Sequence, residues 1–297
     1  MGTTNPHDAF AKTVMNKIEN AKDFFHGVLP PEIQELIDLK TLRLEKESYI
    51  DNELSEFFMD IVYACTYRGS PVKLVLLFEH KSFVPDYPHF QLLQYKLNIW
   101  KYCVGNGRKP PVVLPVVLYH GKPVWEKKRL IEYLSIPADV GSTIFAPFVD
   151  DFDYILVNLT KYQHAEIERQ IFQRTEVRTW LLVQKYIYHT DLLLQHLISI
   201  LSSAMLYFRE EEGLQFLRTV LLYIEKGSGL NKNDIQQAME KADPLIREEY
   251  MTLYEQHIQE GIERGMKRGI HVGFQKGVVR DKQEILTKLL SKKFGLT

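Results

Sequence analysis

Two carboxylates and one ammonium carry the most pointed chemistry in this chain: Asp60, Glu79 and Lys81. Glu79-His80-Lys81 closes an apolar run, Val72-Lys73-Leu74-Val75-Leu76-Leu77-Phe78, that reads as a buried strand. A side-chain period of two sends Glu79 and Lys81 to one face and His80 to the other. Carboxylate oxygens suit Mg²⁺ or Mn²⁺, and a lysine beside such an ion can orient or deprotonate a water. Those are the parts for metal-assisted attack on a phosphodiester. The same residues also fit a solvated strand end with an ion pair, and Asp60 fits a polar residue between Phe57-Phe58-Met59 and Ile61-Val62-Tyr63. Acid-x-lysine recurs at Asp38-Leu39-Lys40 and Glu126-Lys127-Lys128, where no long apolar strand precedes it.

The elements that must position these groups follow from periodicity and breakers. Asn5-Pro6 opens a helix whose apolar positions are Phe10, Val14, Ile18, Ala21 and Phe25; Leu29-Pro30-Pro31 stops it and a short second helix runs to Leu36. Two strands carry Asp60 and Glu79, joined by a turn at Arg68-Gly69-Ser70-Pro71. A helix around Leu92 to Tyr102 ends at Gly105-Asn106-Gly107, with Gln91 and Tyr95 four apart on one face. Pro111 to Tyr119 reads as a further strand whose prolines predict a late start or a place near an edge. Helix, strands, helix, strand predicts an α/β mixed sheet flanked by helices. Asp150-Asp151-Phe152-Asp153 fits no metal-loop spacing and reads as a solvated turn before the strand Tyr154-Ile155-Leu156-Val157. From about Lys161 the pattern is helical, and His164, His189 and His196 lack the spacing of a zinc helix.

Several motifs in order carry a resemblance: Pro6-His7-Asp8 with Phe10 and Lys12, Leu29-Pro30, Ser55-Glu56-Phe57-Phe58-Met59-Asp60, Leu76-Leu77-Phe78-Glu79-His80-Lys81-Ser82, Leu92-Leu93-Gln94-Tyr95, and Pro115-Val116-Val117-Leu118-Tyr119-His120-Gly121. This succession, strongest over the first half of the chain, resembles the recombination-promoting nuclease family within the PD-(D/E)XK nuclease superfamily. The resemblance implies a restriction-endonuclease-like core. It implies that Asp60 and Glu79 ligate Mg²⁺ (or Mn²⁺ or Ca²⁺), that the backbone carbonyl of His80 is a further ligand, and that Lys81 orients the attacking water. Gln91 and Tyr95 resemble the Q-x-x-x-Y element that some branches of the superfamily place near the scissile phosphate. Relatives often carry a basic residue where Gln91 stands, and many carry glutamine where Lys81 stands; the lysine brings this chain closer to the superfamily pattern.

At 297 residues with 45% hydrophobic and 12% aromatic content, the chain can bury a sizeable core. No stretch approaches the roughly 20 apolar residues a membrane helix needs, and the N-terminus lacks a basic-then-apolar leader, so a soluble cytoplasmic protein is expected. Cys65 and Cys103 are too few for a disulfide framework. Net charge is −1, yet charge is segregated: Lys96, Lys101, Arg108, Lys109, Lys122, Lys127, Lys128 and Arg129 face only Glu126 in that interval. These eight are the expected DNA-binding residues, with scattered solvated lysines as the competing reading.

Gly227-Ser228-Gly229 reads as a linker, which gives expected units of 1–160 (nuclease core), 161–226 (helical extension) and 230–297 (helical tail). In the tail, Gly261, Gly265, Gly269, Gly273 and Gly277 recur every four residues, each followed by an apolar residue: Ile262, Met266, Ile270, Phe274, Val278. A glycine ridge beside an apolar ridge suits close approach of a second helix, and the expectation is a homo-oligomer held by this segment. The interspersed Arg264, Lys267, Arg268 and Lys276 exclude a membrane dimer. The expected function is a Mg²⁺-dependent DNA endonuclease of low sequence specificity, acting in recombination or on mobile or invading DNA. The alternatives are a DNA-binding or regulatory scaffold that keeps the fold without catalysis, and an interaction protein whose tail is the active part.

Overall fold

A computed structural model of the chain describes residues 6–45, 61–68, 70–134, 146–148 and 151–294, with residues 70–80 described as backbone alone. It divides into two units, residues 1–242 and 243–297. The first is a mixed α/β unit built on a five-stranded sheet with strands in sequence order: β1 (Ile37–Leu44), β2 (Ile61–Tyr67), β3 (Ser70–Lys81), β4 (Val112–Tyr119) and β5 (Ile155–Asn158). β1, β2 and β3 are antiparallel neighbours, whereas β3, β4 and β5 run parallel. The reversal of mode is forced by connectivity. A turn containing Arg68 at φ 47° joins β2 to β3, but β3 reaches β4 only through the long helix α4 (Pro88–Gly105).

Period-two alternation buries β2 on both faces. Val62 enters a cluster with Leu92, Tyr95 and Ile99 of α4 and Val117 and Tyr119 of β4. Tyr63 points the other way, with its ring 5.2 Å from Phe25 at 81°. Phe25 belongs to α2 (Ile18–Val28), so helices cover the sheet from both sides. β1 was not anticipated from the sequence. Its half-polar run IDLKTLRL shows little alternation, and a register shift between Asp38 and Arg43 interrupts its pairing. Thr41 fills that bulge, where its Oγ1 accepts from Thr66 N at 2.8 Å.

The single N-terminal helix expected from Phe10 to Phe25 is two helices, α1 (Pro6–Met15) and α2. The break is held by groups that take the carbonyls a continuous helix would have used. Tyr63 Oη donates to Met15 O at 2.5 Å and Asn20 Nδ2 donates to Val14 O at 3.0 Å. Asn5, with which that helix was expected to open, lies outside the described residues. β4 is an interior strand, not an edge, despite Pro115. β5 pairs only with Val116–Tyr119, so the missing donor of Pro115 falls beyond the β4–β5 ladder.

After a short helix α3 (Pro31–Gln34), the remaining helices of this unit follow the sheet: α5 (Thr175–Tyr186), α6 (Thr190–Ser203), α7 (Met205–Phe208), α8 (Glu211–Gly227) and α9 (Lys232–Glu240). α1 joins them through Phe10, 4.5 Å from the Tyr223 ring, and α2 through Phe24, whose ring centre lies 6.0 Å from that of Trp180 in α5. Gly227 to Gly229 lie inside this first unit; Ser228 is buried and donates to Ile224 O at 2.6 Å. Cys65 and Cys103 are free and buried, and burial pushes the Cys65 thiol up to about 11. The second unit is one 51-residue helix, α10 (Pro244–Phe294). Among the described residues no helix is long and apolar enough to cross a membrane.

Candidate active site

The carboxyl ends of the parallel strands β3 and β4 gather the residues that could act on a substrate. Register places Glu79 beside Val117, His80 beside Leu118 and Lys81 beside Tyr119. His120 N donates to Lys81 O at 3.1 Å, extending the ladder by one rung. With Lys81 bonded toward β4, alternation turns the backbone groups of His80 toward β2, whose described residues stop at Ile61 opposite Phe78. The β3–β4 ladder therefore leaves the His80 carbonyl unused.

Beyond Lys81 the chain is clamped. A Cβ on Gly121 would overlap the Ser82 carbonyl oxygen and lie 2.6 Å from the Tyr119 hydroxyl, so only glycine lets the two strand ends pass. Tyr119 Oη donates to Pro123 O at 2.5 Å. Lys81 is half-buried, its Nζ 5.3 Å from the Phe83 ring centre.

Asp60 lies outside the described residues, and of Glu79 and His80 only the backbone is described. Gln91 and Tyr95 do meet: Gln91 Nε2 donates to Tyr95 Oη at 2.6 Å. Tyr95 shares the cluster of Val117 and Tyr119, the register partners of Glu79 and Lys81, so this pair sits on the helix covering that part of the sheet. Among the described residues no group of three or more His, Cys, Asp or Glu could hold a metal ion.

A network the sequence reading did not assign abuts the Lys81–Ser82 corner. Tyr223 Oη donates to Gln184 Oε1 at 2.7 Å, which uses its one proton, so His7 Nδ1 at 2.6 Å donates to Tyr223. His7 Nε2 then accepts from Tyr188 Oη at 3.0 Å, and Tyr188 in turn accepts from Ser82. His120 stacks on Tyr188 at 5.2 Å. Burial raises the phenols of Tyr188 and Tyr223, keeping both neutral donors. His7, Ser82 and His120 stood in the quoted motifs; Tyr188 and Tyr223 lie in a helical stretch with no signal beyond apolar periodicity.

The basic interval is uneven. Lys101, Arg108, Lys109, Lys122 and Lys128 are exposed and make no ion pair among the described residues. Lys127 Nζ lies 2.7 Å from Asp153 Oδ1, and Arg129 pairs with Asp151, so these acids are consumed by cations. Lys96 packs its ammonium 4.0 Å from the Phe152 ring centre, and burial lowers its pKa. His164 and His196, 32 residues apart in sequence, meet with ring centres 4.8 Å apart beside Tyr186, as packing.

The profile of the family described as "Putative transposase, YhgA-like" matches residues 5–212. The chain belongs to this family. Among curated relatives, the recombination-promoting nuclease RpnA of Escherichia coli K12 is 27% identical over 93% of this chain and 91% of its own length. The inactive recombination-promoting nuclease-like protein RpnE of the same strain is 27% identical over 98% of this chain and 92% of its own. RpnC, also a recombination-promoting nuclease of that strain, is 33% identical over 40% of both chains. No solved structure matches. The YhgA-like match thus spans the whole sheet and its covering helices and stops at the start of α8, well before α10.

Proposed function

We propose that this protein is a metal-dependent DNA endonuclease with a restriction-endonuclease-like core, of low sequence specificity, acting in recombination or on mobile DNA. The observation that carries the reading is the β2–β3 register. Ile61, the residue after Asp60, is partnered by Phe78, the residue before Glu79. One peptide link on each strand, about 3.8 Å between Cα atoms, thus separates the two acids from a paired position. The donor set of Asp60 and Glu79 carboxylates with the His80 carbonyl is all oxygen, which fits Mg²⁺, Mn²⁺ or Ca²⁺. The relatives named as nucleases support the same class of reaction.

A divalent ion held there would polarise the phosphoryl oxygen and lower the pKa of water. Lys81 orients that water for attack on phosphorus opposite the leaving oxygen, and the Ser82–Tyr188 bond fixes the corner that carries the amine. Gln91 and Tyr95 border the phosphate path, and the exposed lysines between Lys96 and Arg129 attract the DNA backbone. The protein works in the cytoplasm as a homo-oligomer assembled through its C-terminal helix.

Plasmid nicking in Mg²⁺ and in chelator tests the reading. Cutting should need the ion and be abolished in Asp60→Ala and Glu79→Ala, and Lys81→Ala should lose cutting while DNA binding persists. Full activity in either acid variant would sink the assignment. The name of the inactive relative RpnE favours a second reading, a DNA-binding scaffold without catalysis; binding without cutting in every divalent ion would establish it.

A further inference from the structure

The segment that leads from the Lys81 corner into α4 holds large aromatic rings in water. Tyr87 is 51% exposed and Phe90 53%, whereas Pro88 and His89 between them are buried. The first turn of α4 is thus anchored by its middle residues and presents the flanking pair outward. The two rings stack on one another with centres 5.2 Å apart at 14°, and Tyr133 braces Tyr87 at 5.6 Å and 59°. Phe90 has no further ring contact among the described residues, so Tyr87 covers part of its ring and the rest meets solvent. Lone exposed apolar side chains are ordinary on a protein surface, but a stacked and braced pair is an ordered aromatic surface.

Its size narrows the occupant. A ring residue of this kind covers about 150–250 Å² when buried, so two half-exposed ones leave roughly 200 Å² open. A stable protein partner or a second copy covers about 800 Å² on each side. One or two nucleobases need no more than such a pair, because every base has a flat face that stacks on Phe or Tyr. Asp86, exposed beside Tyr87, would repel a phosphate, so the base side of a strand comes to this surface and not its backbone.

Charge for the backbone stands at either side. Lys101 lies eleven residues after Phe90, three turns along the same side of α4 and about 16 Å away, and is exposed. Lys81 is six residues before Tyr87, at most about 20 Å along the chain, and its Nζ lies 5.3 Å from the ring centre of the exposed Phe83. Bases inside a duplex are covered by their neighbours, so only unpaired ones can use the rings.

We propose that Tyr87 and Phe90 form a stacking platform for unpaired bases, which directs the protein to DNA that is single-stranded or locally opened beside the Lys81 corner. The identity of the ligand as DNA rests on the endonuclease reading above; the platform itself needs no cleavage step.

Fluorescence anisotropy with the full chain in chelator tests it on a short single strand, an abasic strand of equal length and charge, a blunt duplex and the same duplex with a gap. The natural strand should bind about tenfold more tightly than the abasic one, and the gapped duplex about tenfold more tightly than the blunt one. Phe90→Ala should remove both preferences and leave the abasic strand and blunt duplex unchanged, and Phe90→Trp should keep them. Tyr87→Ala should act like Phe90→Ala; if it fails to fold, Phe90→Ala carries the test. The proposal falls if the abasic strand binds as well as the natural one, if gapped and blunt duplexes bind alike, or if Phe90→Ala matches the wild type on every DNA. A lower molar mass of Phe90→Ala in light scattering, with DNA binding unchanged, would assign the rings to a contact between copies instead. Cutting in Mg²⁺ without any preference for unpaired bases would remove the platform and keep the endonuclease reading. Phe90-dependent strand binding by a protein that never cuts would do the reverse, and failure to bind any DNA would overturn both.

Discussion

Lys17 Nζ donates to Glu176 Oε1 at 2.7 Å across 159 residues of sequence, pinning the break between α1 and α2 to α5. Asn20 Nδ2 and Tyr207 Oη each donate to the same carboxylate at 2.7 Å, and Lys17 also pairs with the exposed Glu212. The Glu176 side chain is 3% exposed. Burial alone would raise its pKa, but the bonds from Lys17, Tyr207 and Asn20 outweigh that and hold it below the ordinary 4.5.

A carboxylate whose pKa is lower folded than unfolded stabilises fully above its unfolded value and loses that contribution as pH falls through the folded one. Unfolding midpoints should therefore drop below about pH 4.5 in the wild type. Glu176→Ala should cost about 1–3 kcal/mol at neutral pH by depriving the Tyr207 hydroxyl and the Asn20 amide of an acceptor, Lys17 keeping Glu212, and should flatten the acid limb. Urea denaturation at pH 7 and pH 4 checks both; an unchanged acid limb would mean other carboxylates set it.

Gly121→Ala should damage the corner after Lys81. The new methyl meets the Ser82 carbonyl oxygen, a backbone atom that cannot swing aside, so β3 and β4 must part at their ends. The expected loss is about 1–3 kcal/mol, the range for overpacking. Cleavage should fall further than stability does, because the displaced segment carries Lys81. Thermal melts beside nicking rates measure the two effects; a fall in stability with cleavage intact would separate the corner from the chemistry.

DNA affinity should decline linearly with log salt, each phosphate contact contributing about 0.9 to the slope. Lys127 and Arg129 already pair with Asp153 and Asp151, whereas Lys128 makes no ion pair among the described residues. Lys128→Ala should thus flatten the slope by nearly one unit, and Lys127→Ala by less. Fluorescence anisotropy across a salt series reads both, and equal slopes would move the contact surface elsewhere.

What the sequence revealed tracks how local the signal was. β3 ends in Glu79-His80-Lys81 after the apolar stretch Leu74 to Phe78, and Gln91 lies one helical turn before Tyr95, so the strand, the helix and the shared face of these two residues were readable from spacing, whereas their hydrogen bond was not. The break at Asn16-Lys17 was not. The apolar spacing passes straight through it, and what ends α1 is Tyr63, 48 residues away, donating to Met15 O. β1 was missed because its place depends on pairing with β2 and on Thr41 filling a bulge, not on its own alternation. The His7–Tyr188–Tyr223 network joins residues 181 and 216 positions apart, which no periodicity encodes.

The last expectation concerns α10. Five glycines at about 1 kcal/mol each place roughly 5 kcal/mol against a solitary helix, more than four-apart ion pairs at a few tenths each can offset. Yet the helix runs unbroken through them, and the residues after four of the glycines are uncovered: Ile262, Met266, Ile270 and Phe274 are each at least 52% exposed. Nothing lies within 4 Å of a Cβ built on Gly265 or Gly277. A second copy of the helix would offset the glycine cost by burying this ridge at close approach. Replacing Gly265, Gly269 and Gly273 by leucine should raise intrinsic helicity yet block that approach and shift the protein toward monomer. Removing residues 257–297 should do the same while leaving the buried Ile246 and Tyr250 in place. Light scattering at matched concentration decides: a truncated protein that keeps the wild-type multiple of one chain mass is held together elsewhere.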